Sequence, residues 1–196
     1  MSDIFSRFAP FIQDYIYRCK WEELREIQVL AAEAVFDTDE NLLLSSGTAS
    51  GKTEAAFLPV LTQLWENPSA SVGVLYLSPL KALINDQFER LEGLLEEAAI
   101  PVTKWHGDAS AAAKKRVMKR PQGVIQTTPE SLESMLMHNS SGAYRLFSDL
   151  RFVIIDEMHY FMDNDRGLQL LCLLERLARL IGYHPRRIGL SATLGD

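Results

Sequence analysis

The sequence predicts an α/β domain with a mainly parallel central sheet and helices on both faces. Three observations carry that prediction. Short, continuously apolar, β-rich runs such as Val72-Gly73-Val74-Leu75-Tyr76-Leu77 and Phe152-Val153-Ile154-Ile155 suit strands covered on both sides. Segments of helical period alternate with such runs along the chain, which calls for crossover connections and parallel pairing. Between Leu42 and Ala56, an apolar run passes through small, turn-prone residues into Gly51-Lys52-Thr53 and an alanine-containing segment, in the order strand, loop, helix.

Residues 3–36 read as two helical segments, Ile4–Tyr17 and Glu22–Phe36. The second presents Leu24, Ile27, Leu30, Ala31 and Ala34 to the core. Gln28 in this segment can pair with an adenine edge through its amide, or simply face solvent on the helix. The helix after the loop, Lys52–Trp65, contains Pro59, whose ring should bend or break it. After the strand at 72–77, Ser78-Pro79 reads as helix cap and first helical residue of an amphipathic helix, Leu80–Ala98. Pro101–His106 is a short strand ending at Gly107-Asp108, and Ser110 caps the helix Ala111–Lys119. Val124–Thr127 is another strand, and Thr128-Pro129-Glu130 repeats the cap-plus-proline helix start. His138–Gly142 reads as a polar loop. The Leu-rich helix Gly167–Ile181 ends at Gly182, and a last strand, Arg187–Leu190, delivers Ser191-Ala192-Thr193. With no repeat, low-complexity tract or linker in the sequence, residues 1–196 are expected to form one domain.

Apolar residues at 47% and charged residues at 23% suffice for a buried core and exclude disorder. Lys and Arg number 20 against 26 Asp and Glu, so the net charge of −6 excludes a generally basic nucleic-acid surface. A narrow track of phosphate contacts remains compatible with it. Cys19 and Cys172 have no metal-ligand spacing and read as buried free thiols in a reducing cytoplasm. No apolar run approaches the ~18 residues that span a membrane. The N-terminus carries Asp3 early and lacks a cationic-then-apolar leader, so a cytoplasmic protein with no membrane partner is expected.

The stretch Ser46-Gly47-Thr48-Ala49-Ser50-Gly51-Lys52-Thr53 has the spacing of a phosphate-binding loop, with Ser46 where the first glycine usually stands. Glycines let the backbone turn N–H groups onto a phosphate, and the following helix adds its positive end. Lys52 would reach the β- and γ-phosphates, and the Thr53 hydroxyl would hold Mg²⁺. Such ligands bind at the carboxyl ends of parallel strands. Asp156, directly after Ile154-Ile155, can there hold Mg²⁺ through water. Glu157 can orient or deprotonate the water that attacks the γ-phosphate. Acidic residues also cap helices after strands, so the pair gains its meaning from the upstream loop. His159 could then link this site to the hydroxyls of Ser191 and Thr193.

In this order the motifs resemble the first motor domain of a superfamily 2 helicase of the DExH type, a three-layer RecA-like P-loop NTPase fold. Ser46–Thr53 resembles motif I, Asp156-Glu157-Met158-His159 motif II, Ser191-Ala192-Thr193 motif III, and Ser78-Pro79-Leu80-Lys81-Ala82-Leu83 motif Ia. Gly107-Asp108 and Thr128-Pro129-Glu130-Ser131 fall where the family contacts the nucleic-acid backbone. Arg25 and Gln28 are similar to the adenine-reading Q-type motif, carried by the helical segment 1–36. Thr48–Pro59 most resembles the large-helicase-related (Lhr-like) branch, which is often DNA-directed.

The resemblance covers about residues 20–194. It implies ATP and Mg²⁺ as cofactors, and nucleic acid as partner with DNA favoured over RNA. It also implies a second RecA-like domain in the parent chain that supplies an arginine finger; none of that domain's motifs occurs in these 196 residues. Arg186 and Arg187 should lie at the wrong end of the last strand to replace the finger. Ala49 departs from the glycine of many relatives and should stiffen the loop slightly. A P-loop ATPase that remodels protein or RNA–protein complexes, an RNA helicase, and a nucleic-acid module without ATPase fit parts of the pattern. Lys52, Asp156 and Glu157 together argue against the last.

Overall fold

The computed structural model describes residues 3–47, 50–80, 93–96, 98–107 and 109–192. Its strands are β1 (Leu42–Ser45), β2 (Val74–Leu77), β3 (Val102–Trp105), β4 (Val124–Thr127), β5 (Phe152–Ile155) and β6 (Arg186–Ser191). They form one sheet in the order β1-β6-β5-β2-β4-β3, every neighbouring pair parallel. The helices are α1 (Pro10–Arg18), α2 (Glu26–Asp37), α3 (Lys52–Glu66), α4 (Ala111–Lys119), α5 (Pro129–His138), α6 (Ser140–Phe147) and α7 (Asp165–Ile181).

Successive strand side chains point to opposite faces, and both faces are apolar. Val74, Tyr76, Val124, Phe152 and Ile154 join the core under α1, α2 and α3. Leu75, Leu77, Ile125, Val153 and Ile155 join the opposite core with residues of α4, α5, α6 and α7. The continuous apolar runs thus have the cause inferred for them, burial on both sides.

Several elements differ from expectation for identifiable reasons. The first helical segment divides into a 3₁₀ turn, Asp3–Arg7, and α1, because Pro10 opens a helix at no hydrogen-bond cost but cannot continue one. Helix α2 starts only at Glu26 and buries Gln28, Ala31, Ala32 and Val35, leaving Leu30 57% exposed. It packs on α3, and the small alanines permit a close approach that turns the bulkier Leu30 outward. Helix α3 runs unbroken through Pro59, since residues Ala55–Thr62 are all buried and their packing outweighs one missing bond. His138–Gly142 is not a loop: Asn139 alone interrupts the helices, and its Oδ1 accepts from Gly142 N (3.1 Å) to start α6.

Cys19 and Cys172 are exposed, not buried. Cys19 lies just beyond the end of α1, and Cys172 faces outward from α7 while Leu170, Leu173 and Leu174 face the core. Gly182 ends α7 in the left-handed conformation (φ 89°), as predicted. The helix expected over Leu80–Ala98 lies largely outside the described residues; 93–96 are helical, and Leu94 and Leu95 are buried. Among the described residues, no helix is long and apolar enough to cross a membrane.

Candidate nucleotide and nucleic-acid site

The strand order sets the sequence motifs side by side along the carboxyl edge of the sheet. From β1 across to β3, the edge carries the phosphate loop, Ser191, Asp156-Glu157, Ser78-Pro79, Thr128-Pro129 and His106-Gly107. One half therefore holds the residues assigned to the nucleotide, and the other those assigned to nucleic acid. The two halves meet where β5 pairs with β2.

The loop leaves β1 at Ser45, which pairs with Ser191, and Ser46 N donates to Ser191 O (3.4 Å). Gly51 starts α3 with φ 83°. A Cβ there would lie 2.8 Å from Gln28 Nε2, so both the backbone angle and the close approach call for glycine. Gln28 is consequently no solvated helix residue. It is buried, and its Oε1 accepts from Arg25 N (3.0 Å), which sets the amide against the phosphate loop with Arg25 beside it.

The Lys52 ammonium reaches back over the loop and donates to Ser46 O (2.6 Å), Gly47 O (2.8 Å) and Ser50 Oγ (3.4 Å). Ser46 and Ser50 also share a hydrogen bond. All three ammonium donors are thus engaged by the loop, and a phosphate would take them over by exchange. Thr48 and Ala49 lie outside the described residues.

Asp156 follows β5 and is only 4% exposed. Its main-chain N donates to Leu77 O (2.8 Å), its Oδ1 accepts from Glu157 N (2.9 Å), and its Oδ2 accepts from the Tyr76 hydroxyl (2.5 Å). Burial pushes the Asp156 carboxyl above the ordinary carboxylate range, although the Tyr76 bond pulls the other way. The Tyr76 phenol is itself pushed far up by burial and then by the Asp156 charge, so it remains a donor. Among the described residues each Asp156 oxygen accepts one hydrogen bond, and a buried carboxylate of this kind fits a divalent cation with hard oxygen ligands. Among the described residues, no group of three or more His, Cys, Asp or Glu could hold a metal.

Glu157 adopts left-handed backbone angles (φ 47°, ψ 48°), a sparsely populated conformation for a side-chain-bearing residue. Its Oε2 lies 3.3 Å from His159 Nδ1, at an angle that makes no hydrogen bond. The Ser191 hydroxyl is fully buried and has no hydrogen-bond partner among the described residues. The structure thus brings His159 to Glu157 but not into a bond with Ser191, and Thr193 lies outside the described residues.

On the second half of the edge, Thr128 caps α5 by accepting from Ser131 N (3.4 Å), and Pro129 takes the first helical position. Burial pushes Glu130 up, but its own N–H and the Arg166 guanidinium outweigh this and hold it below the usual range. The cap-plus-proline start expected at Thr128-Pro129 is thus formed, with Glu130 held beside it by Arg166. The Ser78 hydroxyl donates to Leu80 O (3.3 Å), and the helix it was expected to cap lies largely outside the described residues. Gly107 is exposed at the end of β3; Lys81 and Asp108 lie outside the described residues. Arg166 donates to Pro79 O (3.1 Å) and Glu130 Oε1 (2.8 Å), tying the two segments together. Sequence reading missed both Tyr76 and Arg166, since a tyrosine in an apolar strand and an arginine at a helix start carry no local signal.

Arg186 sits at the opposite, amino end of β6. It donates to Ala34 O (2.9 Å), Val35 O (2.9 Å) and Glu40 O (2.6 Å), bracing the end of α2. Arg187 pairs with Glu175 (2.8 Å). Both arginines are placed as expected, away from the phosphate loop. A concavity of about 740 Å³ lies on the flank of the sheet near Leu42, Leu43, Met158, Leu168 and Leu171. It is apolar and has none of the phosphate-binding groups, so the chemistry is assigned to the strand ends.

A parallel sheet with a lysine-bearing loop of phosphate-loop spacing after one strand and a buried Asp156 followed by the half-buried Glu157 after a nearby strand defines a P-loop nucleotide-binding domain. The sequence profile of the DEAD/DEAH box helicase family matches residues 25–196, and the chain belongs to that family. It is 34% identical over 208 residues to the ATP-dependent helicase Lhr-Core of Methanothermobacter thermautotrophicus, covering 98% of this chain and 24% of the relative. Among solved structures, it is similar to the Mycobacterium smegmatis helicase Lhr bound to ssDNA and AMP-PNP. There the TM-score is 0.79 at 31% identity, over 97% of this chain and 25% of that one. The DUF1998 helicase MrfA bound to DNA and AMPPNP gives a TM-score of 0.85 at 28% identity, over all of this chain and 27% of the other. The chain thus spans about a quarter of the length of these relatives.

Proposed function

We propose that the chain is the ATP-binding first motor domain of an ATP-dependent helicase or translocase acting on nucleic acid, DNA in preference to RNA. The observation that carries this reading is the arrangement of the carboxyl edge. Nucleotide residues occupy β1, β6 and β5, nucleic-acid residues occupy β2, β4 and β3, and β5 and β2 are hydrogen-bonded neighbours.

In this reading the loop amides and Lys52 hold the phosphates, and Gln28 and Arg25 face the base. Thr53 and Asp156 hold Mg²⁺, which when bound neutralises charge on the β- and γ-phosphates. Glu157 orients the attacking water and accepts its proton. His159, Ser191 and Thr193 relay the state of the γ-phosphate along the edge. Ser78, Pro79, Lys81, Gly107, Thr128 and Pro129 meet the sugar–phosphate backbone, which would displace the side-chain caps of α5. A second RecA-like domain of the same polypeptide completes both sites. DNA is favoured because the similar Lhr and MrfA structures hold DNA.

The test is phosphate release by a polypeptide that continues through the second domain, with single-stranded DNA or RNA of equal length added. Stimulation by DNA at lower concentration than by RNA is expected. Stimulation by RNA alone would overturn the DNA assignment, and no stimulation by either would favour an ATPase acting on protein.

A further inference from the structure

The buried hydroxyl of Tyr76 donates to the Asp156 carboxylate. The same strand fixes Asp156 twice: Leu77 O accepts from its main-chain N–H, and Tyr76, one residue earlier, donates to its side chain. The Tyr76 ring in turn packs against Phe57 of α3, with centroids 5.8 Å apart, on the helix that the phosphate loop opens. Two residues further along the chain, Ser78 begins the segment assigned to nucleic acid. A single side chain therefore touches the element carrying Thr53 and the carboxylate of Asp156, from the strand that leads to Ser78-Pro79. A purely apolar core would place Phe, Leu or Ile here and leave Asp156 Oδ2 without a donor.

We propose that Tyr76 is a positioning residue for magnesium: its hydroxyl holds one edge of the Asp156 carboxylate so that the remaining lone pairs face Thr53 and the phosphate loop. This rests on the reading above that Asp156 holds the ion. Partners that hydrogen-bond a metal-binding carboxylate from behind typically change metal affinity 10–100-fold when removed.

The test uses the 196-residue chain and a fluorescent N-methylanthraniloyl ATP analogue, titrated with MgCl₂ at fixed nucleotide. Tyr76→Phe keeps the ring and its packing on Phe57 but removes the hydroxyl. The Mg²⁺ concentration for half-maximal binding should rise about tenfold, while Mg-free nucleotide affinity stays at the wild-type value. Phe57→Leu, which disturbs the packing and leaves the hydroxyl, should not move the Mg²⁺ midpoint. Superimposable wild-type and Tyr76→Phe titrations would overturn the proposal, as would an equal shift in Phe57→Leu. A Tyr76→Phe chain that no longer melts cooperatively would make the hydroxyl a folding contact and overturn it too. If wild-type binding shows no Mg²⁺ dependence, the assignment of Asp156 fails first and this proposal with it.

Discussion

Lys52→Ala is expected to abolish ATP binding. The Lys52 ammonium is the cation lying across the mouth of the phosphate loop, within hydrogen-bond distance of Ser46 O, Gly47 O and Ser50 Oγ. A triphosphate placed on the loop amides would meet that charge at its β- and γ-oxygens. Each hydrogen bond to a charged group contributes about 1.5–3 kcal/mol. Loss of two of them corresponds to at least about a hundredfold in affinity. Titration calorimetry on the wild-type chain and the variant decides the matter, with a melting curve to show that the loop's loss of three internal bonds has not unfolded α3. Unchanged nucleotide affinity would remove the phosphate loop from the account.

Glu157→Gln should separate binding from chemistry. The carboxamide preserves shape and can keep the left-handed backbone that places residue 157 directly after Asp156. It loses the charge that lies 3.3 Å from His159 Nδ1 and the capacity to accept a proton. General-base contributions run at about 10²–10⁴-fold, so turnover in a polypeptide containing both motor domains should fall by that factor or more. Mg-ATP affinity should stay near the wild-type value, because Glu157 is not expected to touch the phosphates in the ground state. Single-turnover phosphate release and equilibrium binding on the same preparation measure the two quantities. A loss of binding equal to that of Lys52→Ala would make Glu157 a structural residue.

Much of this site is legible in the sequence because its chemistry is local. Gly51, Lys52 and Thr53 are adjacent, as are Asp156 and Glu157, and the apolar runs before them mark the strands that bring them to one edge. What could not be read depends on contacts between distant segments. Tyr76 meets Asp156 across 80 positions, and Arg166 reaches Pro79 across 87. Gln28 looks like an ordinary helix polar residue until Gly51 is placed against its amide. The expected burial of Leu30 and of the two cysteines failed for a related reason. Helical periodicity marks an apolar stripe, but the neighbouring helix decides how far that stripe is rotated, and small residues such as Ala31 and Ala32 can outcompete a leucine for the contact. The predicted break at Pro59 failed because local propensity was set against the burial of a whole helical face.

The central claim is that these residues form half of a motor, able to bind Mg-ATP but not to hydrolyse it efficiently. Phosphate loop, Asp156 and Glu157 all lie within the chain, whereas Arg186 and Arg187 are committed at the far end of β6 to α2 and Glu175. An arginine finger typically adds about 10³–10⁵-fold to turnover, and here it would have to come from the second domain. The direct measurement is steady-state phosphate release, with saturating single-stranded DNA, by the 196-residue chain and by the polypeptide extended through that domain. Negligible release by the short chain and restored release by the long one is the predicted result. Equal turnover from both would show that these residues complete their own active site, contrary to the account.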